Sequence, residues 1–241
     1  MYQELRLDRI LETLRTLQGR IDGRFPGAGL GRVAGELATV GETTAPLLEK
    51  VRRPNLYMRA GVALVILLLI AVMISLVMQF RGLRADIDGF SSLLQTIESG
   101  IQDVVFLGAA IYFLATIEGR LKRKTVLENL HRLRSIVHII DMHQLTKDPE
   151  QVLSPGLMRG ASGGRDMSRF ELVRYLDYCS DLLSICSKMA ALHVQYVNDP
   201  VVLDAVNDVE VLASDLSSRI WQKIVILDTS AMIPQSAAPA E

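Results

Sequence analysis

Apolar positions along this chain follow two patterns. In residues 60–80, AGVALVILLLIAVMISLVMQF, they run on without a break, and none of the twenty-one residues between Arg59 and Arg81 is charged. A helix of that length rises about 31 Å at ~1.5 Å per residue, which matches the hydrocarbon thickness of a bilayer. Residues 101–117, IQDVVFLGAAIYFLATI, form a second run whose one charge is Asp103, near its outer end. The nineteen residues between Glu98 and Glu118 make ~28 Å of helix, enough for a second crossing if Asp103 lies at headgroup level. Elsewhere the apolar residues recur at alternating spacings of three and four, the mark of an amphipathic helix.

That spacing predicts helices along most of the remaining chain. Leu7, Ile10, Leu14, Leu17 and Ile21 make a heptad seam in residues 2–22. Ile87, Phe90, Leu94, Ile97, Ile101 and Val104 lead into the second apolar run, and Val126, Leu130, Leu133, Val137 and Ile140 form another seam beyond it. A third helix is specified at its start by Ser168 as N-cap, Glu171 three residues on, and Met167 with Leu172 as a staple. Asp199 and Pro200 open the last helix, with Val202, Val206, Val209, Ala213, Leu216 and Ile220 on one face. Six glycines and Pro26 in residues 23–45 read as a flexible linker, with Thr43 and Thr44 as caps and Pro46 at the first turn of a short helix. A glycine-rich loop lies between Lys147 and Met167, and the end of the chain reads as a disordered tail.

The fold expected is an all-α membrane protein: a two-helix transmembrane hairpin, a small cytoplasmic bundle of three helices and an N-terminal amphipathic helix. The expected boundaries are 1–22 for the heptad helix, 23–45 for the linker, 46–124 for the hairpin, 125–228 for the bundle and 229–241 for the tail. Composition agrees, with 5% aromatics and eight prolines in a chain rich in Leu, Ile, Val and Ala. The net charge of −1 conceals asymmetry. Lys50, Arg52, Arg53 and Arg59 precede the first run and Arg120, Lys122, Arg123 and Lys124 follow the second, whereas Arg81 and Arg84 are the only cations in the turn between them. The positive-inside rule then places both termini in the cytoplasm. The first apolar run begins sixty residues in, behind charged sequence, so it is expected to stay as an anchor. No surface reads as a nucleic-acid site, and no cofactor is expected.

Candidate chemistry is sparse. His131, Arg134, His138 and Asp141 fall within an arc of ~80° on one helix, a polar strip suited to a partner or an anion. His138 and Asp141 are three apart and could share a divalent metal, but the shell would need ligands from other helices. Cys179, Cys186 and His193 repeat every seven residues, ~10.5 Å apart along a helix, too far for a thiolate–imidazole pair or a disulfide. Core packing is the better account of them. Asp103 is the one ionisable group in an apolar run and the candidate for ion conduction in an oligomer.

The segment HIIDMHQLTKDPE, residues 138–150, resembles one found in uncharacterised bacterial inner-membrane proteins with a transmembrane hairpin and a cytoplasmic helical domain. The resemblance implies an inner-membrane location and carries over no catalytic residue. The function expected is a non-enzymatic, membrane-anchored scaffold or regulator that presents its bundle for self-association or partner binding. Alternatives are a small oligomeric channel using Asp103 and a metal sensor or hydrolase around His138 and Asp141. The expected partners are the lipid bilayer and either copies of the chain or another protein.

Overall fold

The computed structural model describes residues 4–83, 90–147 and 167–232. These residues form helices α1 (Leu7–Arg24), α2 (Gly29–Arg52), α3 (Leu56–Leu83), α4 (Phe90–Leu145), α5 (Arg169–Tyr196) and α6 (Pro200–Met232), with no strand among them. The connection between the apolar runs (84–89), the glycine-rich loop (148–166) and most of the tail (233–241) lie outside the described residues.

The chain divides into two compact units, and the division is not linear. One comprises residues 1–52 and 125–241; the other, 53–124, is inserted between them. The apolar runs thus interrupt a single bundle instead of preceding it.

Within the bundle α5 is central, packing on α1, α2 and, most extensively, α6. Leu172, Leu176, Leu182, Leu183, Cys179, Cys186 and Met189 are buried along it, and Val202, Val206, Val209, Ala213, Leu216 and Ile220 of α6 face the core. Both predicted helix starts are present. Ser168 Oγ accepts from the Glu171 amide at 3.3 Å while the Glu171 carboxylate accepts from the Ser168 amide at 2.8 Å. Asp199 Oδ1 accepts from the amides of Val201 and Val202 at 3.0 and 3.3 Å. Each arrangement satisfies donors that a helix start leaves without intrahelical partners. Residues 229–232 of the expected tail belong instead to α6, which continues to Met232.

The largest departure from expectation is residues 23–45. They are not a linker: Leu30, Val33, Ala34, Leu37, Ala38, Gly41, Thr44, Leu48 and Val51 form a buried stripe on the 24-residue helix α2. Glycine serves close packing here. A Cβ on Gly41 would stand 2.5 Å from Leu11 Cδ2 and 3.1 Å from Met189 Cε, and one on Gly31 would collide with the Asp22 carboxylate. Among the described residues, only the turn between α1 and α2 uses glycine's conformational freedom, at Gly27 with φ +75°. Pro46 does not open a helix but sits on the exposed side of α2, where its missing N–H is tolerated. Thr43 and Thr44 are not caps; both hydroxyls donate back to the Val40 carbonyl, at 2.9 and 2.7 Å.

The N-terminal heptad helix is likewise part of the bundle, with Ile10, Leu14, Leu17 and Ile21 buried. Residues 126–140 bury their seam too: Val126, Leu130, Leu133, Val137 and Ile140 are all in the core. Residues of α1, α2, α5, α6 and the 126–140 part of α4 therefore share one core, and both seams are used within it.

The inserted unit contrasts with this. α3 and α4 each contain a segment long and apolar enough to cross a membrane, and no residue of either apolar window is buried.

Candidate functional site

The predicted polar strip on α4 is only partly assembled. His131, Arg134 and His138 are exposed, and Arg134 lies 3.6 Å from Asp208 of α6. Asp141 is drawn into a different arrangement. Gln144 Nε2 donates to Asp141 Oδ1 at 2.6 Å, and Lys223 Nζ of α6 donates to Gln144 Oε1 at 2.8 Å and to the Gln144 carbonyl at 3.1 Å. The chain Asp141–Gln144–Lys223 ties the end of α4 to α6 and satisfies a carbonyl that the helix terminus would leave open. Among the described residues no three His, Cys, Asp or Glu side chains converge to hold a metal.

At the residue just before Gln144, His143 Nδ1 and the Tyr175 hydroxyl are 3.4 Å apart. Burial, then the charges of Arg32 and Lys147, hold the imidazole below its usual value. The ring fills the space beside Gly29, which a Cβ would close. Phe25 packs edge-on against Tyr175 and Tyr178, with ring centroids 5.5 and 6.2 Å away.

The stripe of sulfur and imidazole on α5 is core. Cys179 and Cys186 are free and fully buried, and burial pushes both thiols up to about 12. Neither is poised as a nucleophile, since that role needs the thiolate. His193 is also fully buried, with Nδ1 3.0 Å from the Met189 carbonyl, so Nδ1 carries the proton. Its Nε2 and Asn129 Oδ1 are buried without a partner among the described residues. Asn129 Nδ2 donates to Thr44 Oγ1 at 2.9 Å, a buried polar tie between α2 and α4.

The other concentration of polar chemistry lies in the inserted unit, at the basic ends of α3 and α4. Glu118, one residue past the second apolar run, accepts from Arg59 Nε at 2.8 Å, Lys122 Nζ at 2.9 Å and the Asn55 amide at 3.1 Å. These donors hold its carboxyl well down, at about 2, with the Arg59 bond contributing most. Lys122 Nζ also donates to the Arg53 carbonyl at 2.9 Å, and Asn55 Oδ1 accepts from the Met58 amide at 3.3 Å at the start of α3. Next to Glu118 a cavity of about 280 Å³ opens between the two helices, lined by Met58, Arg59, Val62, Ala63, Ile66, Leu114, Ala115 and Glu118. Asp103 stands elsewhere on α4, exposed.

Sequence reasoning missed Glu118, Gln144, Lys223 and the Asn129–Thr44 pair. Glu118 did carry a signal: it is the lone acid among the cations of residues 118–124. The other four are polar side chains that nothing but the packing brings together. No known protein family, no curated protein and no solved structure matches this chain.

Proposed function

We propose that the protein is a membrane-anchored helical scaffold, without catalysis of its own, whose inserted pair of apolar helices holds the bundle at a membrane surface. The observation that carries this reading is the interrupted bundle. Residues 1–52 and 125–232 pack into one unit, so the two ends of the insertion must lie on the same side of any membrane it enters. Two crossings by α3 and α4 meet that condition and one crossing does not. The cations flanking both runs favour the cytoplasm for that side, and the resemblance of residues 138–150 favours a bacterial inner membrane.

Because the seams of α1 and α4 are spent inside the bundle, recruitment falls to another surface. The outer face of α6 offers one. Leu203, Val211, Trp221 and Val225 are exposed along it, interleaved with exposed Asn207, Ser214 and Ser218, and together they repeat at helical spacing. Trp221 is the chain's one tryptophan and is 59% exposed, so its fluorescence reports on this face directly.

Reporter fusions test the anchoring: a reporter at Gly89 is expected in the compartment opposite to one at Glu241, and signal from the same compartment overturns the topology. Native mass spectrometry from mild detergent, with photocrosslinkers at Val211 and Trp221, tests the surface. A crosslinked assembly that Trp221→Glu abolishes is expected; an assembly indifferent to that change removes α6 from the reading.

A further inference from the structure

The cavity between α3 and α4 has two chemically distinct parts. Its floor is apolar, formed by Val62, Ala63, Ile66, Leu114 and Ala115, and runs along α3 from Met58 to Ile66, ~12 Å at ~1.5 Å per residue. Its mouth is ionic, formed by Arg59 and Glu118, where the apolar runs meet their basic flanks. At the mouth two cations, Arg59 and Lys122, bond the one carboxylate of Glu118. That carboxylate is already saturated by Arg59, Lys122 and the Asn55 amide. The mouth therefore keeps one positive charge in excess.

Glu118 also orients Arg59. It engages Nε, and the Arg59 side chain is 61% exposed. A guanidinium held at Nε has two terminal nitrogens in fixed geometry, a donor pair that suits phosphate oxygens. Ala63 and Ala115 are the small residues of the floor.

We propose that this groove binds one anionic phospholipid, its phosphate at Arg59 and its acyl chain along Val62, Ile66 and Leu114. The inference rests on the membrane reading above. The apolar floor selects a lipid over a free phosphate, and the cationic mouth disfavours a zwitterionic headgroup, whose ammonium would add to charge already in excess.

The test is native mass spectrometry of the full chain in mild detergent, supplied with equal amounts of phosphatidylglycerol and phosphatidylcholine of distinguishable mass. The expected result is one retained phosphatidylglycerol, preferred about tenfold, on the scale that two or so interfacial cations supply. Ala115→Phe, which fills the floor, is expected to abolish retention of either lipid. Arg59→Gln leaves the floor intact and is expected to bring the preference close to parity, which keeps the test decisive if Ala115→Phe misfolds. Equal retention of the two lipids by the wild type, or an undiminished preference in Arg59→Gln, overturns the proposal. So does displacement of the lipid by millimolar inorganic phosphate, or a dimer whose partner helix occupies the groove. Alkaline extraction of the membranes separates the two readings: a protein that washes off refutes the anchoring, whereas one that stays but shows no lipid preference refutes only the lipid site.

Discussion

Leucine meets opposite surroundings in the two units of this protein. In the bundle Leu14, Leu133 and Leu176 are 0% exposed, while in the inserted unit Leu64, Leu67 and Leu68 are 60% exposed or more. An apolar side chain in water is stabilised by burial against its own chain, at ~25 cal/mol per Å² removed from solvent. In the apolar runs of α3 and α4 that burial is missing, and each run is long and apolar enough to cross a membrane. The polar groups invert in parallel. The bundle buries His193, Asn129 and Gln144 within it, whereas the inserted unit gathers its ionic contacts where its apolar runs end, at Glu118.

The contrast breaks most visibly under truncation. Leu176→Ala should destabilise the bundle by ~2–5 kcal/mol, since it removes transfer energy and leaves a cavity, while Leu67→Ala should change stability by less than ~0.5 kcal/mol. Denaturant titration followed by circular dichroism in detergent compares them, and a comparable loss at Leu67 would mean that α3 belongs to a protein core. Charge insertion gives the next effect. Leu68→Arg should cost ~2.5–3.5 kcal/mol of membrane insertion, read by glycosylation mapping, whereas Asn207→Arg on the outer face of α6 should be silent there.

A smaller effect probes the polar tie between α4 and α6. Lys223→Met strands the buried Gln144 side chain and should cost ~1–3 kcal/mol. Adding Gln144→Leu should recover part of that loss, because replacing both partners removes the unsatisfied group. A double-mutant cycle in thermal denaturation measures the coupling.

Acidification should loosen the two parts of the molecule at different pH. Burial lowers His193, and burial with Arg32 and Lys147 lowers His143, from an ordinary 6.5. Below about pH 6.5 the unfolded chain binds protons that the folded chain refuses, so bundle stability declines from there toward the depressed folded-state values. Glu118 is depressed from 4.5 to about 2, so its contribution is complete above pH 4.5 and disappears as pH falls from 4.5 to about 2. Peptide-resolved hydrogen exchange should therefore show α5 loosening before the contact between α3 and α4. His193→Gln should flatten the first phase; simultaneous loosening of both parts would refute the separation.

The helices were legible wherever large apolar residues marked the period, as in residues 7–21, 126–140 and 202–220, and wherever a cap had its own chemistry, as at Ser168–Glu171 and Asp199–Pro200. Residues 23–45 misled for a definite reason. Their stripe of Leu30, Val33, Leu37 and Thr44 does have helical spacing, but Gly31, Ala34, Ala38 and Gly41 share it, and small residues resemble a linker until a neighbouring helix is known to need the space. Of the predicted polar strip, Arg134 pairs with Asp208 and Asp141 accepts from Gln144, which in turn accepts from Lys223 79 positions further along, a link that no local spacing signals.

What the sequence determined by itself is whatever depends on the near neighbours of each residue: helix period, helix starts, the two long apolar runs and the cations that bracket them. Hydrogen bonds within a turn and the transfer energy of a continuous apolar segment are local quantities, so they can be read from the string. Only the tertiary structure decided that the chain before the insertion folds with the chain after it, that both heptad seams are used internally, and that Glu118 ties Arg59 and Lys122 beside a groove. Those outcomes depend on which surfaces meet across long stretches of chain, where close approach of small residues and satisfaction of buried polar groups select the pairing.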